Sequence, residues 1–196
     1  MFRGFRARPW VGVLLALGAS AALLGCGGSG DAGDARLSAE AQLGEKIFSD
    51  VSLSASGRQS CATCHDAARG HAANNALPAQ LGGPDGTLQG VRNTPGIRYL
   101  ASNTPFFFDE EGTPTGGFFW DGRAATLAEQ AAGPFLNPLE MANPDKASVI
   151  TKLAAAPYAA EFRRVYGDAI FSDVEGAYQR LTEALQRYQL DDVELN

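Results

Sequence analysis

Two cysteines and both histidines of the chain lie within the segment SCATCHDAARGH, which runs from Ser60 to His71. Cys61, Cys64 and His65 form the pattern C-x-x-C-H, and His71 follows six residues after His65. Thiols and imidazoles at this density suit three kinds of chemistry: a zinc site, a redox-active disulfide, or covalent attachment of haem. These alternatives would make the protein a scaffold, a thiol enzyme or an iron protein, respectively.

The spacing of the four side chains favours haem attachment. Structural zinc sites gather two separated ligand pairs around a tetrahedron, whereas here His65 directly follows Cys64 and all four candidates are close in sequence. A thioredoxin-like disulfide is expected within βαβ units, and no such pattern surrounds this segment. In haem attachment, two thiols add to the two vinyl groups and the adjacent histidine binds the iron. The sequence therefore predicts one haem c, tethered by Cys61 and Cys64, with iron bound by His65.

The second axial ligand of such an iron would have to reach the opposite face of the ring. His71 is too close to His65 to do so, and Gly70 interrupts any helix between them, so we expect His71 near the haem rim or at the surface. Met141 is far enough along the chain to cross over. Two states therefore stay open: an iron capped by Met141, as in an electron carrier, or an open or water-bound iron, as in a peroxidase.

The first residues read as an export signal rather than as part of the fold. Three arginines precede an apolar run from Trp10 to Leu24, which is too short for a convincing membrane span. The run ends in LLGC, which resembles the cleavage site of bacterial lipoproteins and predicts lipidation of Cys26; a free cysteine after a plain signal or anchor helix is the alternative. We expect a lipoprotein signal peptide over residues 1–25, a flexible Gly- and Asp-rich tether over 26–37 and a folded domain over 38–196. This predicts a periplasmic domain anchored to a bacterial membrane only through its lipid.

The charge balance restricts the partners. The full chain carries a net charge of −6, and without residues 1–25 it has 13 basic against 22 acidic residues, which leaves −9. Binding to nucleic acid needs a basic patch, and none is obvious, so nucleic acid is excluded as a partner. A cationic redox protein, which an acidic surface can steer electrostatically, fits better.

Helices and loops are the elements that must position the motif. Apolar residues at helical spacing predict a helix within LSAEAQLGEKIFSD, with Ser38 as its N-cap. Residues 74–117 are rich in glycine and proline, show no strand or helix period, and predict a long ordered or disordered loop of the kind that could wrap a cofactor. Further helices are predicted in PDKASVITKLAAA, in YAAEFRRVYG and in TLAEQAAGPFL, the last stopping near Gly133 and Pro134. A long final helix is expected behind a capping box formed by Ser172 and Glu175.

An ordered series of motifs resembles one family. LGEKIFSD, SCATCHDAARG, GVRNTP and FFWDGRAATLAEQAAGPFLNPLEM, followed by the closing helices, are together similar to the N-terminal domain of bacterial di-haem cytochrome c peroxidases and their MauG-type relatives. The resemblance runs from about Leu43 to the C-terminus. It implies a mainly α, cytochrome-c-like helical domain with long haem-wrapping loops, and reduction of hydrogen peroxide with electrons from a cytochrome c or a similar small redox protein.

The resemblance also implies roles for individual residues. Gln130, Pro134 and Glu140 match the family's distal pocket, and Trp120 matches the tryptophan between its two haems. Peroxide cleavage needs a group that takes a proton from one oxygen and returns it to the other, which suits the carboxylate of Glu140, while the Gln130 amide can orient peroxide without adding charge. Without the resemblance, Gln130 and Glu140 would read as surface residues and Trp120 as a packed core aromatic.

Two arginines could contact a haem, and the sequence differs from the family pattern in two respects. Arg92 and Arg123 are candidates for pairing with the haem propionates, because a guanidinium fork suits a carboxylate. No histidine follows His71, so the family's histidine cap on the peroxidatic iron looks absent. The chain also has a single C-x-x-C-H. A one-haem peroxidase would need another electron source, and the alternatives are a non-catalytic mono-haem electron-transfer cytochrome with Met141 as sixth ligand, or a truncated fragment of a two-haem peroxidase.

Overall fold

The computed structural model describes residues 37–196. Helices form the core of this part of the chain. The α-helices are α1 (Ala39–Ser49), α2 (Cys61–Cys64), α3 (Leu127–Leu136), α4 (Lys146–Ala155), α5 (Ala159–Tyr166) and α6 (Val174–Asp191). Short 3-10 helices cover Val51–Leu53, Ala67–Arg69, Leu100–Ser102 and Ile170–Ser172. The predicted mainly α class is confirmed. No helix within residues 37–196 combines the length and the apolar character needed to cross a bilayer. Cys26 and the predicted signal peptide lie outside the described residues.

Helices α1 and α6 cross at close range and form the centre of the core. Ser38 caps α1 as predicted, since its Oγ accepts a hydrogen bond from the N–H of Ala41 at 3.1 Å. At the crossing, a Cβ atom on Gly44 would lie 2.0 Å from the carbonyl oxygen of Ala184, so only glycine lets the helices approach this closely. One turn later, the rings of Phe48 and Tyr188 pack with centroids 5.5 Å apart. This crossing fixes the end of α1 from which the chain enters the C-x-x-C-H segment.

The start of α6 differs from the sequence prediction by one residue. Asp173, rather than Ser172, is the N-cap, and its carboxylate accepts from the N–H of Gly176 at 3.0 Å. Ser172 belongs to the preceding 3-10 helix, and Glu175 pairs with Lys146 instead of closing a capping box. The predicted capping box was therefore wrong. The physical reason is that an aspartate both caps the free N–H groups and complements the positive end of the helix dipole.

Helix α3 continues through Pro134, where the sequence predicted that it would stop. Thr126 caps its first turn, and the last turn is closed by a hydrogen bond from the N–H of Asn137 to the carbonyl of Gly133 at 3.1 Å. Pro134 removes only the bond to the carbonyl of Gln130, while α3 packs against α6 and Tyr178 donates to the carbonyl of Ala132 at 2.6 Å. Tertiary packing thus outweighs the missing hydrogen bond, and Pro134 stands inside a helix.

The long segment between α2 and α3 is an ordered loop that contains two very short antiparallel hairpins. Strand β1 (Leu81–Gly82) pairs with β2 (Leu88–Gln89), and β3 (Phe107–Phe108) pairs with β4 (Pro114–Thr115). Two-residue strands leave no periodic signal, which explains why the sequence showed no strand. The N–H of Gly83 donates to the carbonyl of Glu140 at 2.8 Å, and this bond ties the first hairpin to the segment after α3.

Candidate functional site

The short helix α2 presents the C-x-x-C-H motif on one wall of a cavity. The side chain of Thr63 accepts a hydrogen bond from the N–H of Ser60 at 2.9 Å, which closes the first turn, and the N–H of His65 donates to the carbonyl of Cys61 at 2.9 Å. One turn of helix therefore places both thiols and the imidazole beside the same cavity. Cys61 and Cys64 are free thiols.

His71 orients His65 through its backbone. The Nδ1 atom of His65 lies 3.1 Å from the carbonyl oxygen of His71 and donates to it, which leaves Nε2 as the nitrogen available to a metal. The imidazole of His71 is itself buried, accepts from Nε of Arg98 at 3.3 Å and does not line the cavity. The expectation of a surface position for His71 was therefore wrong, because its imidazole is packed inside the fold, while a position near the haem rim stays a prediction.

The pKa values of the motif's side chains argue against a redox-active disulfide. Burial raises the pKa of the Cys61 thiol to about 12, and burial together with the charge of Glu140 also raises the pKa of Cys64. Reactive cysteines that form thiolates have lowered pKa values instead, so these two thiols do not resemble a redox-active pair. Burial lowers the pKa of His65, which keeps its imidazole neutral, as a metal ligand must be. Residues 37–196 contain no cluster of three or more histidine, cysteine or acidic side chains that could hold a metal ion.

A single cavity of about 520 Å³ collects the residues that the sequence singled out. Those that line it are Cys61, Cys64, His65, Arg92, Trp120, Arg123, Gln130, Pro134, Glu140 and Met141. These residues come from α2, from the long loop, from α3 and from the segment after α3. The fold therefore brings together every predicted site residue that lies within the described part of the chain, including the competing sixth ligand Met141.

Gln130, Pro134 and Glu140 lie on the cavity wall formed by α3 and its C-terminal extension. The side chain of Glu140 lines the cavity and is exposed to solvent there. Its Oε1 accepts a hydrogen bond from Nδ2 of Asn137 at 2.9 Å. Partial burial by the surrounding protein raises the pKa of Glu140, while the Asn137 hydrogen bond and the charge of Arg123 oppose that rise. A carboxyl group with a raised pKa beside a cavity is suited to accepting and returning a proton.

Trp120 and two arginines lie at the mouth of the cavity. The Trp120 side chain is 63% exposed, and its Nε1 donates to the carbonyl of Asn93 at 2.8 Å, so Trp120 is not a core aromatic. Asp121 bridges the two guanidinium groups, with 2.7 Å to Arg123 and 2.9 Å to Arg92. Hydrogen bonds from Arg123, and then from Arg92, hold the pKa of Asp121 at about 2. The two arginines are thus anchored side by side at the rim, and their pairing with propionates remains a prediction.

The model of the di-haem cytochrome c peroxidase family matches residues 38–195. This chain belongs to the di-haem cytochrome c peroxidase family. It is 44% identical over 153 residues to the methylamine utilization protein MauG of Paracoccus denitrificans, a match that covers 76% of this chain and 40% of that protein. It is 33% identical over 149 residues to the cytochrome c551 peroxidase of Nitrosomonas europaea, covering 76% of this chain and 38% of that protein.

A solved structure agrees with this assignment. The di-haem peroxidase BthA of Burkholderia thailandensis matches with a TM-score of 0.74 and 33% identity over 82% of this chain and 40% of BthA. The cytochrome-c-like architecture expected from the sequence is confirmed by this likeness. The chain spans about two fifths of the length of these di-haem peroxidase relatives.

The residues of this di-haem peroxidase family member fit haem c. Two free thiols and one neutral imidazole line the same cavity, and this set would suit two thioether bonds to a haem and one bond from His65 Nε2 to its iron. The cavity volume falls within the range of protein sites that hold cofactors and similar ligands. Both observations come from the chain itself and agree with the haem named in the family's description.

Some residues of the site were not found from the sequence. Asn137, which bonds to Glu140, also accepts from the N–H of Leu139 at 3.0 Å, and the pair Asn137-Pro138 is a turn signal that could have marked it. Asp121 lies in the sequence between Trp120 and Arg123, and its negative charge could have indicated pairing with a neighbouring arginine. The role of the His71 carbonyl could not be predicted from the sequence, because every amino acid has a backbone carbonyl.

Proposed function

We propose that this protein reduces hydrogen peroxide at a single haem c, with electrons from a cytochrome c or a similar small redox protein. The observation that supports it best is the position of Glu140 and Gln130 on the same cavity as Cys61, Cys64 and His65. When bound, haem c supplies an iron that exchanges electrons with peroxide. Over a full turnover, one peroxide takes up two electrons and two protons and leaves as two water molecules.

The chain's own residues hold the reactants and move a proton. Cys61 and Cys64 would hold the haem through two thioether bonds, and the His71 carbonyl orients the imidazole of His65 so that its Nε2 would bind the iron. Glu140 accepts a proton from one peroxide oxygen and returns it to the departing oxygen, for which its raised pKa suits it. Gln130 orients the peroxide through its amide.

Electrons enter, in this proposal, through the exposed face that carries Trp120. Trp120 lines the cavity and is also open to solvent, so it can contact a partner and the cofactor. The neighbouring hairpin exposes Phe108, and Asp109, Glu110 and Glu111 follow it. Acidic residues beside exposed aromatic side chains suit a cationic redox protein as the donor.

The test is peroxide-dependent oxidation of a reduced cytochrome c by the haem-loaded protein. Glu140→Gln should lower kcat about 100-fold or more, as expected for the loss of a general acid–base group. Glu45→Gln is the matched control, because Glu45 is an exposed carboxylate on α1 that does not line the cavity. Absence of turnover in the wild-type protein, or equal rates for Glu140→Gln and the wild type, would refute peroxide reduction by this mechanism.

Electron transfer without catalysis is the second candidate function, because Met141 is buried and lines the cavity. The spin state of the ferric haem, measured by electron paramagnetic resonance, separates the two. A low-spin signal that becomes high-spin in Met141→Leu, together with indifference to peroxide, would support the electron carrier. A high-spin signal that is unchanged by Met141→Leu supports the enzyme.

We also propose that the protein is exported to the periplasm and held at a bacterial membrane by a lipid on Cys26. The LLGC sequence before the tether supports this. Radiolabelled palmitate fed to expressing cells should label the wild-type protein and fail to label Cys26→Ser. Labelling of both, or of neither, would refute a lipid at this position.

A further inference from the structure

Two buried amide atoms in the cavity wall have no hydrogen-bond partner among residues 37–196. They are Oε1 of Gln59 and Nε2 of Gln80, whose residues are only 7% and 8% exposed. Both glutamines line the cavity that holds the C-x-x-C-H motif. Buried polar atoms are nearly always paired, so each of these two atoms points to a ligand.

The two glutamines stand on neighbouring segments of the wall. The Nε2 of Gln59 donates to the carbonyl of Leu81 at 3.0 Å, which fixes its Oε1 as the free acceptor and places it beside the residue that follows Gln80. Two residues further along, the N–H of Gly83 donates to the carbonyl of Glu140 at 2.8 Å. Residues 80–83 therefore contact both Gln59 and the backbone of Glu140.

The chemistry of the two free atoms restricts what can satisfy them. Gln59 Oε1 needs a donor, and Gln80 Nε2 needs an acceptor. They do not bond to each other, although both line one cavity. The ionised propionates of a haem only accept hydrogen bonds, so they cannot satisfy Gln59. A small molecule with an O–H group can donate to Gln59 and accept from Gln80 at the same time.

We propose that Gln59 and Gln80 form a polar subsite that holds one small O–H molecule, water or hydrogen peroxide, on the Glu140 side of the cavity. Support for the subsite comes from the two unpaired atoms and their positions in one cavity. Its role in supplying peroxide to Glu140 rests on the proposed function. Water and hydrogen peroxide share the chemistry that the subsite recognises, and kinetics distinguish them.

A double-mutant cycle on the haem-loaded protein tests, independently of catalysis, whether one molecule bonds to both glutamines. Gln59→Met, Gln80→Met and the double variant keep side-chain length and remove the amides. If one molecule bridges the two amides, each single variant lowers Tm, and the double variant lowers it by clearly less than the sum of the two shifts. Additive shifts, or a rise in Tm for the single variants, would overturn the proposal. Gln179→Met on the exposed face of α6 is the control for loss of a glutamine.

A crystal structure of the haem-loaded protein gives a second readout. The expected result is one ordered solvent peak within hydrogen-bond distance of Gln59 Oε1 and Gln80 Nε2, which disappears in the double variant. Direct pairing of the two amides, or a haem propionate in contact with both, would overturn the subsite.

Steady-state kinetics then identify the occupant. If peroxide uses the subsite, Gln80→Met raises KM for hydrogen peroxide several-fold while kcat changes little. If KM stays unchanged while the cycle remains non-additive, the occupant is water. Should the protein show no peroxidase activity, the cycle and the crystal structure still decide the subsite, so its failure is distinguishable from failure of the proposed function.

Discussion

Asn137 donates a hydrogen bond from Nδ2 to Oε1 of Glu140 at 2.9 Å and stabilises the ionised form of that carboxyl group. The surrounding protein acts in the opposite direction and raises the pKa of Glu140, and the charge of Arg123 opposes that rise as Asn137 does. The proton affinity of the proposed acid–base group is therefore set by a balance in which burial is the largest contribution.

This balance predicts the pH dependence of peroxide reduction. Glu140 must be ionised to accept a proton, so activity should fall as the pH drops through its raised pKa, above the usual glutamate value of about 4.3. Asn137→Ala removes one stabilising contact of the ionised form, so the acidic limb should move to higher pH. The measurement is kcat/KM for peroxide against pH. The exposed Asn75→Ala serves as control, and a limb that shifts to lower pH in Asn137→Ala would contradict the assignment.

Trp120 gives a prediction about the electron donor. Trp120→Phe removes the indole N–H that donates to Asn93 and changes the aromatic group at the cavity mouth. We expect slower oxidation of a reduced cytochrome c, with oxidation of a small-molecule donor largely retained, because a small donor needs no docking contact with Trp120. Tyr99→Phe, at an exposed aromatic residue outside the cavity, is the matched control. Equal losses with both donors would show that Trp120 supports the cavity rather than electron entry.

Only part of the site could be predicted from local signals in the sequence. C-x-x-C-H fixes the chemistry of the motif at adjacent positions, and amphipathic spacing with a capping serine located α1. The site residues Gln130, Pro134 and Glu140 could be named only through the resemblance, since an isolated glutamine or glutamate has no local signature. The cavity itself shows that the fold brings them beside the motif.

The remaining features depend on contacts between distant segments. Pro134 breaks most helices, and only packing against α6 explains why α3 continues through it. The two hairpins in the long loop have strands of two residues, too short for any period. Gln59 and Gln80 form a pair only in the folded chain, where their unpaired atoms lie in the wall of one cavity. Spacing along the chain predicts none of these features.

Gly82, in the first hairpin, packs tightly against the backbone of Leu139 and Glu140. A Cβ atom on Gly82 would lie 2.1 Å from the carbonyl oxygen of Leu139 and 2.8 Å from Cα of Glu140, both backbone atoms that cannot rotate away. Gly82→Ala should therefore destabilise the haem-loaded protein by roughly 1–3 kcal/mol, the usual cost of overpacking. Chemical unfolding measures this. Gly96→Ala is the control, because the added atom would meet its neighbours only at 3.8 Å; equal effects of the two variants would contradict the close contact.

Asn143 joins three parts of the fold behind the segment that carries Glu140. It is 3% exposed, and its Nδ2 donates to the carbonyls of Leu53 at 2.8 Å and Phe135 at 2.9 Å, while its Oδ1 accepts from Lys152 Nζ at 2.7 Å. This one side chain thus connects the turn after α1, the end of α3 and helix α4. Burial lowers the pKa of Lys152, so its ammonium group depends on such acceptors.

Asn143→Ala should therefore reduce the free energy of unfolding by roughly 2–4 kcal/mol, because it leaves two buried carbonyls without this donor and removes an acceptor from Lys152. Asn143→Asp keeps an acceptor for Lys152 but loses both donated bonds and turns a carboxylate oxygen toward the two carbonyls, so it should also be less stable than the wild type. Guanidinium unfolding of the haem-loaded protein gives the values. If Asn143→Ala is as stable as the wild type, Asn143 does not hold these three parts of the fold together.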